Sequence, residues 1–104
     1  MTGVQTCALP ICWVTDRTGD ERDAGIVAFE RKSGTDYALV VINTLGTHES
    51  ETTAVDSGGG PMITTRNEGD HLVDAISGDR FTVEANGALT LRVGPHETRI
   101  LLPE

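Results

Sequence analysis

Ala38 to Ile42 (Ala-Leu-Val-Val-Ile) is an unbroken run of five apolar residues, and no other stretch of the chain carries one. Three of the five are β-branched and the run is short, which favours a strand over a helix. Apolar residues at consecutive positions fall on both faces of a pleat, so Tyr37 to Thr44 is expected to be a central strand buried on both sides. Just before it, Gly25 to Lys32 (Gly-Ile-Val-Ala-Phe-Glu-Arg-Lys) has the same character. The link Ser33-Gly34-Thr35-Asp36 can close the two into a hairpin, because Gly34 tolerates a positive φ.

The rest of the chain is cut into short pieces. Glu51 to Val55 reads as a Thr-rich edge strand, and Gly58-Gly59-Gly60-Pro61 breaks the chain after it. Met62 to Thr65 and His71 to Ile76 read as strands, separated by Asn67-Glu68-Gly69-Asp70, and Ser77-Gly78-Asp79 turns again. Short strands with turn signals every eight to twelve residues predict an all-β fold, an antiparallel Greek-key β-sandwich. Between Phe81-Thr82-Val83 and Leu89-Thr90-Leu91 lies Asn86-Gly87, the usual mark of a two-residue turn. That turn would put the two apolar sets on opposite faces. A three-residue loop, Ala85-Asn86-Gly87 with Gly87 left-handed in a bulge, pairs Val83 with Leu89 and Phe81 with Leu91 on one face, and is the expected form.

Several of these pieces, in this order, resemble one known domain. Phe29-Glu30-Arg31-Lys32-Ser33-Gly34, with Asp36 and Ala38-Leu39-Val40-Val41-Ile42-Asn43, is similar to the start of the C-terminal β-domain of α-amylase-type glycoside hydrolases and cyclodextrin glucanotransferases. Leu72-Val73-Asp74 with Ser77-Gly78-Asp79, then Phe81-Thr82-Val83 and Ile100-Leu101-Leu102-Pro103, resemble its later strands, so the likeness runs from about residue 13 to 103. Gly94 and Glu97 depart from the family's last turn. The resemblance implies a parent enzyme that cleaves α-1,4-glucosidic bonds in starch-like glucans by a retaining, two-carboxylate mechanism. It also implies that the catalytic carboxylates lie on a barrel elsewhere in the parent, that any calcium belongs to that barrel, and that the enzyme is extracellular. The expected partners are that barrel and, only through the parent enzyme, an α-glucan.

The domain boundaries follow. Met1 to Ile11 resembles translated sequencing adapter and Cys12 a hybrid codon at its edge, so residues 1–12 are set aside as an artefact. Neither Cys7 nor Cys12 then speaks to disulfides or redox compartment. Trp13 to Ala24, polar and acidic, reads as a linker arriving from a catalytic barrel, and 25–104 as the β-domain. The roughly 92 residues from Trp13 onward suffice for one small core, whereas a TIM barrel takes about 250.

The residues themselves argue against most chemistries. With 16 acids, 8 bases and a formal net charge of −8, binding to a phosphate backbone is disfavoured, so nucleic acid is not an expected partner. No run approaches the 18 or so apolar residues of a membrane span, so a membrane is not one either. Asp16, Asp20, Glu21, Asp23, Glu49, Glu51 and Asp56 fall in loops or the linker and read as solvated. His48, His71 and His96 lack short ligand spacing, and Asp16 to Asp20 lacks that of a calcium loop. No Gly-x-Ser-x-Gly elbow presents a nucleophile, and Gly58 to Gly60 is followed by neither Lys nor helix. No catalytic, cofactor or metal residue is therefore expected in this chain. Sugar binding needs exposed aromatic platforms. Phe29 and Phe81 are expected in the core with Val27 and Val83, which leaves Trp13 and Tyr37 as interdomain or sugar contacts. Two other readings stay open, a free-standing carbohydrate-binding module and a generic immunoglobulin-like interaction domain.

Overall fold

The computed structural model describes residues 22–52 and 61–104 in full and 11–14 as a backbone path. These residues form an all-β, antiparallel fold whose one helical turn, among the described residues, is the three-residue 3₁₀ turn at Ala85–Gly87. The strands are β1 (Ile11–Val14), β2 (Ile26–Ser33), β3 (Asp36–Asn43), β4 (Ser50–Glu51), β5 (His71–Asp74), β6 (Arg80–Thr82), β7 (Arg92–Val93) and β8 (Thr98–Pro103). Six make one sheet in the order β1-β2-β3-β8-β5-β6, and β4 pairs with β7 in a second. The last strand, β8, enters the first sheet between β3 and β5, the long-range return of a Greek key.

β2 and β3 form the expected hairpin. They pair without a break from Ile26↔Asn43 to Ser33↔Asp36, leaving Gly34-Thr35 as a two-residue loop. Gly34 has φ +61 and Thr35 is not left-handed, the pattern of a turn that needs glycine only at its first position. β3 is interior to the sheet, as expected, but its two faces differ. Tyr37, Leu39, Val41 and Asn43 are buried, whereas Ala38, Val40 and Ile42 on the other face are only half-buried. β2 follows suit: Ile26, Ala28 and Glu30 are buried, and Val27 and Phe29 half-buried. The expectation that Phe29 and Val27 enter the core is thus corrected. The core face of β2 belongs to the even-numbered residues, because Ala28 and Glu30 stand opposite Val41 and Leu39.

The second layer is mostly irregular chain held by hydrogen bonds at Thr52. Its N–H donates to Leu91 O, its hydroxyl donates to Leu89 O and accepts from Leu91 N–H, and its carbonyl accepts from Met62 N–H. Leu89 N–H donates to Met62 O, and Ile63 bridges Ala88. This layer supplies Met62, Leu89, Leu91 and Val93 to the core, against Leu39, Val41, Leu72 and Leu101 of the large sheet.

The expected hairpin between Phe81–Val83 and Leu89–Leu91 does not form. β6 pairs with β5 instead, and Leu89–Leu91 crosses to the other layer. All four residues still meet one core, from opposite walls, with Phe81 at its half-buried edge. The loop keeps features of both turns weighed for it. Glu84 N–H donates to Ala88 O, which closes three residues, while Ala88 N–H donates to Ala85 O across Asn86 (φ 63) and Gly87 (φ 84), both left-handed.

Upstream, Ile11–Val14 joins the sheet as β1, so the sheet begins earlier than the expected boundary at residue 25. Asp23 and Ala24, expected in an exposed linker, are fully buried, and Ala24 O accepts from the buried Ser50 hydroxyl. The triglycine segment and most of the Glu51–Val55 strand lie outside the described residues.

Candidate functional site

Tyr37, a candidate contact residue, lies on the core face of β3 at 6% exposure. Its hydroxyl donates to Glu30 Oε2 at 2.6 Å, and the Arg66 guanidinium covers its ring at 4.8 Å from the centroid. Glu30, itself 1% exposed, takes two more hydrogen bonds on the same oxygen, from Thr65 N–H at 2.8 Å and Thr65 Oγ1 at 3.1 Å. A buried carboxylate is tolerable only when hydrogen-bonded, and these three donors tie β2, β3 and the 64–66 segment together. The cluster closes one end of the sandwich and leaves Tyr37 no open ring face, so Tyr37 is corrected from surface contact to core. Glu30 shares the face of Ile26 and Ala28, and that parity in the sequence is the signal by which its burial could have been found. Trp13 stands opposite Ala28 in the β1–β2 ladder, and its side chain lies outside the described residues.

A second polar cluster sits at Asp74. Its Oδ1 accepts Ile76 N–H at 2.8 Å and its Oδ2 accepts Arg99 Nη1 at 2.9 Å, while the same guanidinium nitrogen reaches Asp79 Oδ2 at 3.3 Å. Arg99 Nε donates to Arg92 O at 2.7 Å, and its guanidinium lies 5.4 Å from the Phe81 ring centroid. Burial is the largest influence on the Asp74 carboxyl and pushes its pKa up. The hydrogen bonds from Ile76, Arg99, Ser77 and Ile100 together outweigh it and hold the carboxyl below its ordinary value. The Leu72-Val73-Asp74 and Ser77-Gly78-Asp79 pieces are therefore parts of one clamped turn, closed further by Gly78 N–H to Asp74 O and Asp74 N–H to Asp79 O.

The face of the large sheet turned away from the core is apolar over its middle. Val27, Phe29, Val40, Ile42 and Ile100 are half-buried there, and Leu102 is 39% exposed. At the β2–β3 hairpin this face opens into a groove of about 530 Å³, lined by Arg31, Ser33, Asp36, Ala38, Leu102 and Pro103 among others. Sequence reasoning foresaw an apolar second face on β3 but not the groove, whose β8 side comes from 65 residues downstream of Ala38.

The histidines stay apart in role. His48 Nδ1 lies 2.9 Å from Glu49 O, His71 Nδ1 lies 3.2 Å from Thr82 Oγ1, and the His96 ring packs against Gly46. Among the described residues, no three His, Cys, Asp or Glu side chains come together as metal ligands. No helix among them is long and apolar enough to cross a membrane.

The class defined by this geometry is an antiparallel two-layer β-domain with one sealed and one half-open sheet face. Solved structures of the same fold include AmyP in complex with maltose, 17% identical with a TM-score of 0.58, and an Anoxybacillus α-amylase, 14% identical with a TM-score of 0.57. The likeness covers 90% and 92% of this chain but only 16% and 18% of those chains. No family model matches the chain, and no curated sequence does.

Proposed function

We propose that this chain is the C-terminal accessory β-domain of a longer α-amylase-like enzyme that hydrolyses α-1,4-glucosidic bonds in starch-like glucans. The observation that carries the reading is the pair of coverages: nearly the whole of this chain shares its fold with about a sixth of two amylase chains. The residues that cleave the glucan, with any calcium they need, lie outside these 104 residues. The reading is supported by the clusters at Glu30 and Asp74, whose carboxylates are occupied in holding strands and turns together. Neither faces the other across a cleft, as glycoside hydrolysis requires.

A free-standing sugar-binding module is the weaker reading, because Tyr37 is buried and offers no platform. DNA sequence upstream of the Trp13 codon tests the proposal. An open reading frame carrying the motifs of a catalytic barrel is expected, and an in-frame stop or an unrelated domain directly upstream contradicts it. The chain alone is expected to release no reducing sugar from starch and to run unretarded in a starch-containing native gel. Retardation favours the binding-module reading, and turnover overturns both.

A further inference from the structure

Arg66, Arg80, Arg92 and Arg99 each face a carboxylate within the chain: Asp70, Glu104, Glu49 with Glu51, and Asp74 with Asp79. Arg31 faces none among the described residues, although acids outnumber bases 16 to 8. Asp36 is likewise without an ion pair there. Both are exposed. Arg31 stands opposite Ala38 and Ser33 opposite Asp36, so Arg31 and Asp36 are diagonal neighbours on the outer face of the sheet, at the rim of the groove. One unpaired cation and one unpaired anion thus lie side by side, with Phe29, Ala38, Val40 and Leu102 behind them.

Such a patch is complementary to itself. In a two-fold contact each residue meets the partner's counterpart, so a neighbouring charge pair of opposite sign can form two ion pairs between copies, while the apolar residues behind cover one another. We propose that this outer face is an interface between two copies of this chain, in which Arg31 of each copy pairs with Asp36 of the other. The size suffices: any side of a molecule measuring 38 × 30 × 25 Å is of the order of the roughly 800 Å² per partner in a standard interface. The net charge of −8 on each copy opposes association, but at physiological salt it is screened beyond about 8 Å, whereas pairs in contact at a partly dehydrated seam are screened far less. The inference does not depend on the amylase reading, and its test does not involve sugar.

Sedimentation equilibrium of the 104-residue chain at 0.15 M salt, a round value near physiological strength, decides it, with folding of each variant checked by circular dichroism. The wild-type chain is expected to dimerise reversibly. Arg31→Asp and Asp36→Arg are each expected to weaken the dimer roughly tenfold or more, and the double exchange to restore it to about the wild-type strength. Val40→Asp, at the apolar centre of the face, is expected to abolish it. If Val40→Asp does not fold, the three charge variants decide alone, since both positions are exposed. A wild-type chain that stays monomeric overturns the proposal. So does a dimer indifferent to the single exchanges, which would place its seam elsewhere, or a double exchange that fails to restore association.

Discussion

The inner and outer faces of β3 carry the same kind of residue, yet one is sealed and the other half open. Leu39 and Val41 are at 0% exposure beneath the second layer, while Val40 and Ile42, one residue along the same strand, are only half-buried. The difference lies in what the remaining chain can supply. The second layer, built around Thr52, Met62 and Leu89 to Val93, covers a single side of the sheet. An apolar run alone therefore states that two faces want cover, and the number of residues elsewhere decides how many receive it.

Substitution along this one strand gives the sharpest contrast. Leu39→Ala is expected to cost about 3 kcal/mol in urea-monitored unfolding, because it removes a fully buried side chain and leaves a cavity. Val40→Ala, on the half-open face, is expected to cost about 1 kcal/mol or less. Equal losses at the two positions would mean that both faces are packed alike.

The polar end of the sealed side should follow. Glu30→Ala strands the Tyr37 hydroxyl and Thr65 N–H without their acceptor and is expected to cost about 2–3 kcal/mol. If the cost is due to those stranded donors, Tyr37→Phe made in the same background should recover part of it in a double-mutant cycle.

Two left-handed glycines separate the faces further. Gly87 has φ +84, and a Cβ there would stand 2.5 Å from Thr64 O, so Gly87→Ala is expected to cost about 2 kcal/mol. Gly34, at the exposed hairpin tip with φ +61, has nothing within 4 Å of that position, so Gly34→Ala meets only backbone strain and is expected to cost about 1 kcal/mol.

The smallest expected effect is the acid dependence of the Asp74 clamp. Its folded pKa lies below the unfolded one, so the ionised carboxylate stabilises the fold above the ordinary carboxylate value. That contribution is lost as pH falls through the lowered value. Denaturant titrations of wild type and Asp74→Asn should converge as pH falls through this range, and parallel curves would remove Asp74 as a source of acid lability.

How much was legible in the sequence depends on how local the pairing is. The β2–β3 hairpin could be read because its partners are adjacent and Gly34 marks the turn. The fate of Phe81-Thr82-Val83 could not, because Asn86-Gly87 signals a turn without stating which strand receives the returning chain. Long-range bonds from Leu89 to Met62 and from Leu91 to Thr52 took precedence over the local hairpin. In β2, Val27 and Phe29 look as core-like as Ile26 and Ala28, and only Glu30, a carboxylate in need of buried donors, distinguishes the face. Of the two proposed contact residues, Tyr37 proved to be the donor that Glu30 requires, which its hydroxyl allowed but its position in an apolar run did not disclose.

The account rests on a sheet with one covered face, and side-chain accessibility measures that directly. Methyl resonances of Leu39, Val41, Val40 and Ile42 can be compared in the presence of a soluble paramagnetic agent, using the Arg31→Asp chain so that copies stay apart. The account predicts strong broadening at Val40 and Ile42 and protection at Leu39 and Val41. Equal protection at all four would show a second cover on the outer face, and equal broadening would show that no sandwich exists; either result contradicts it.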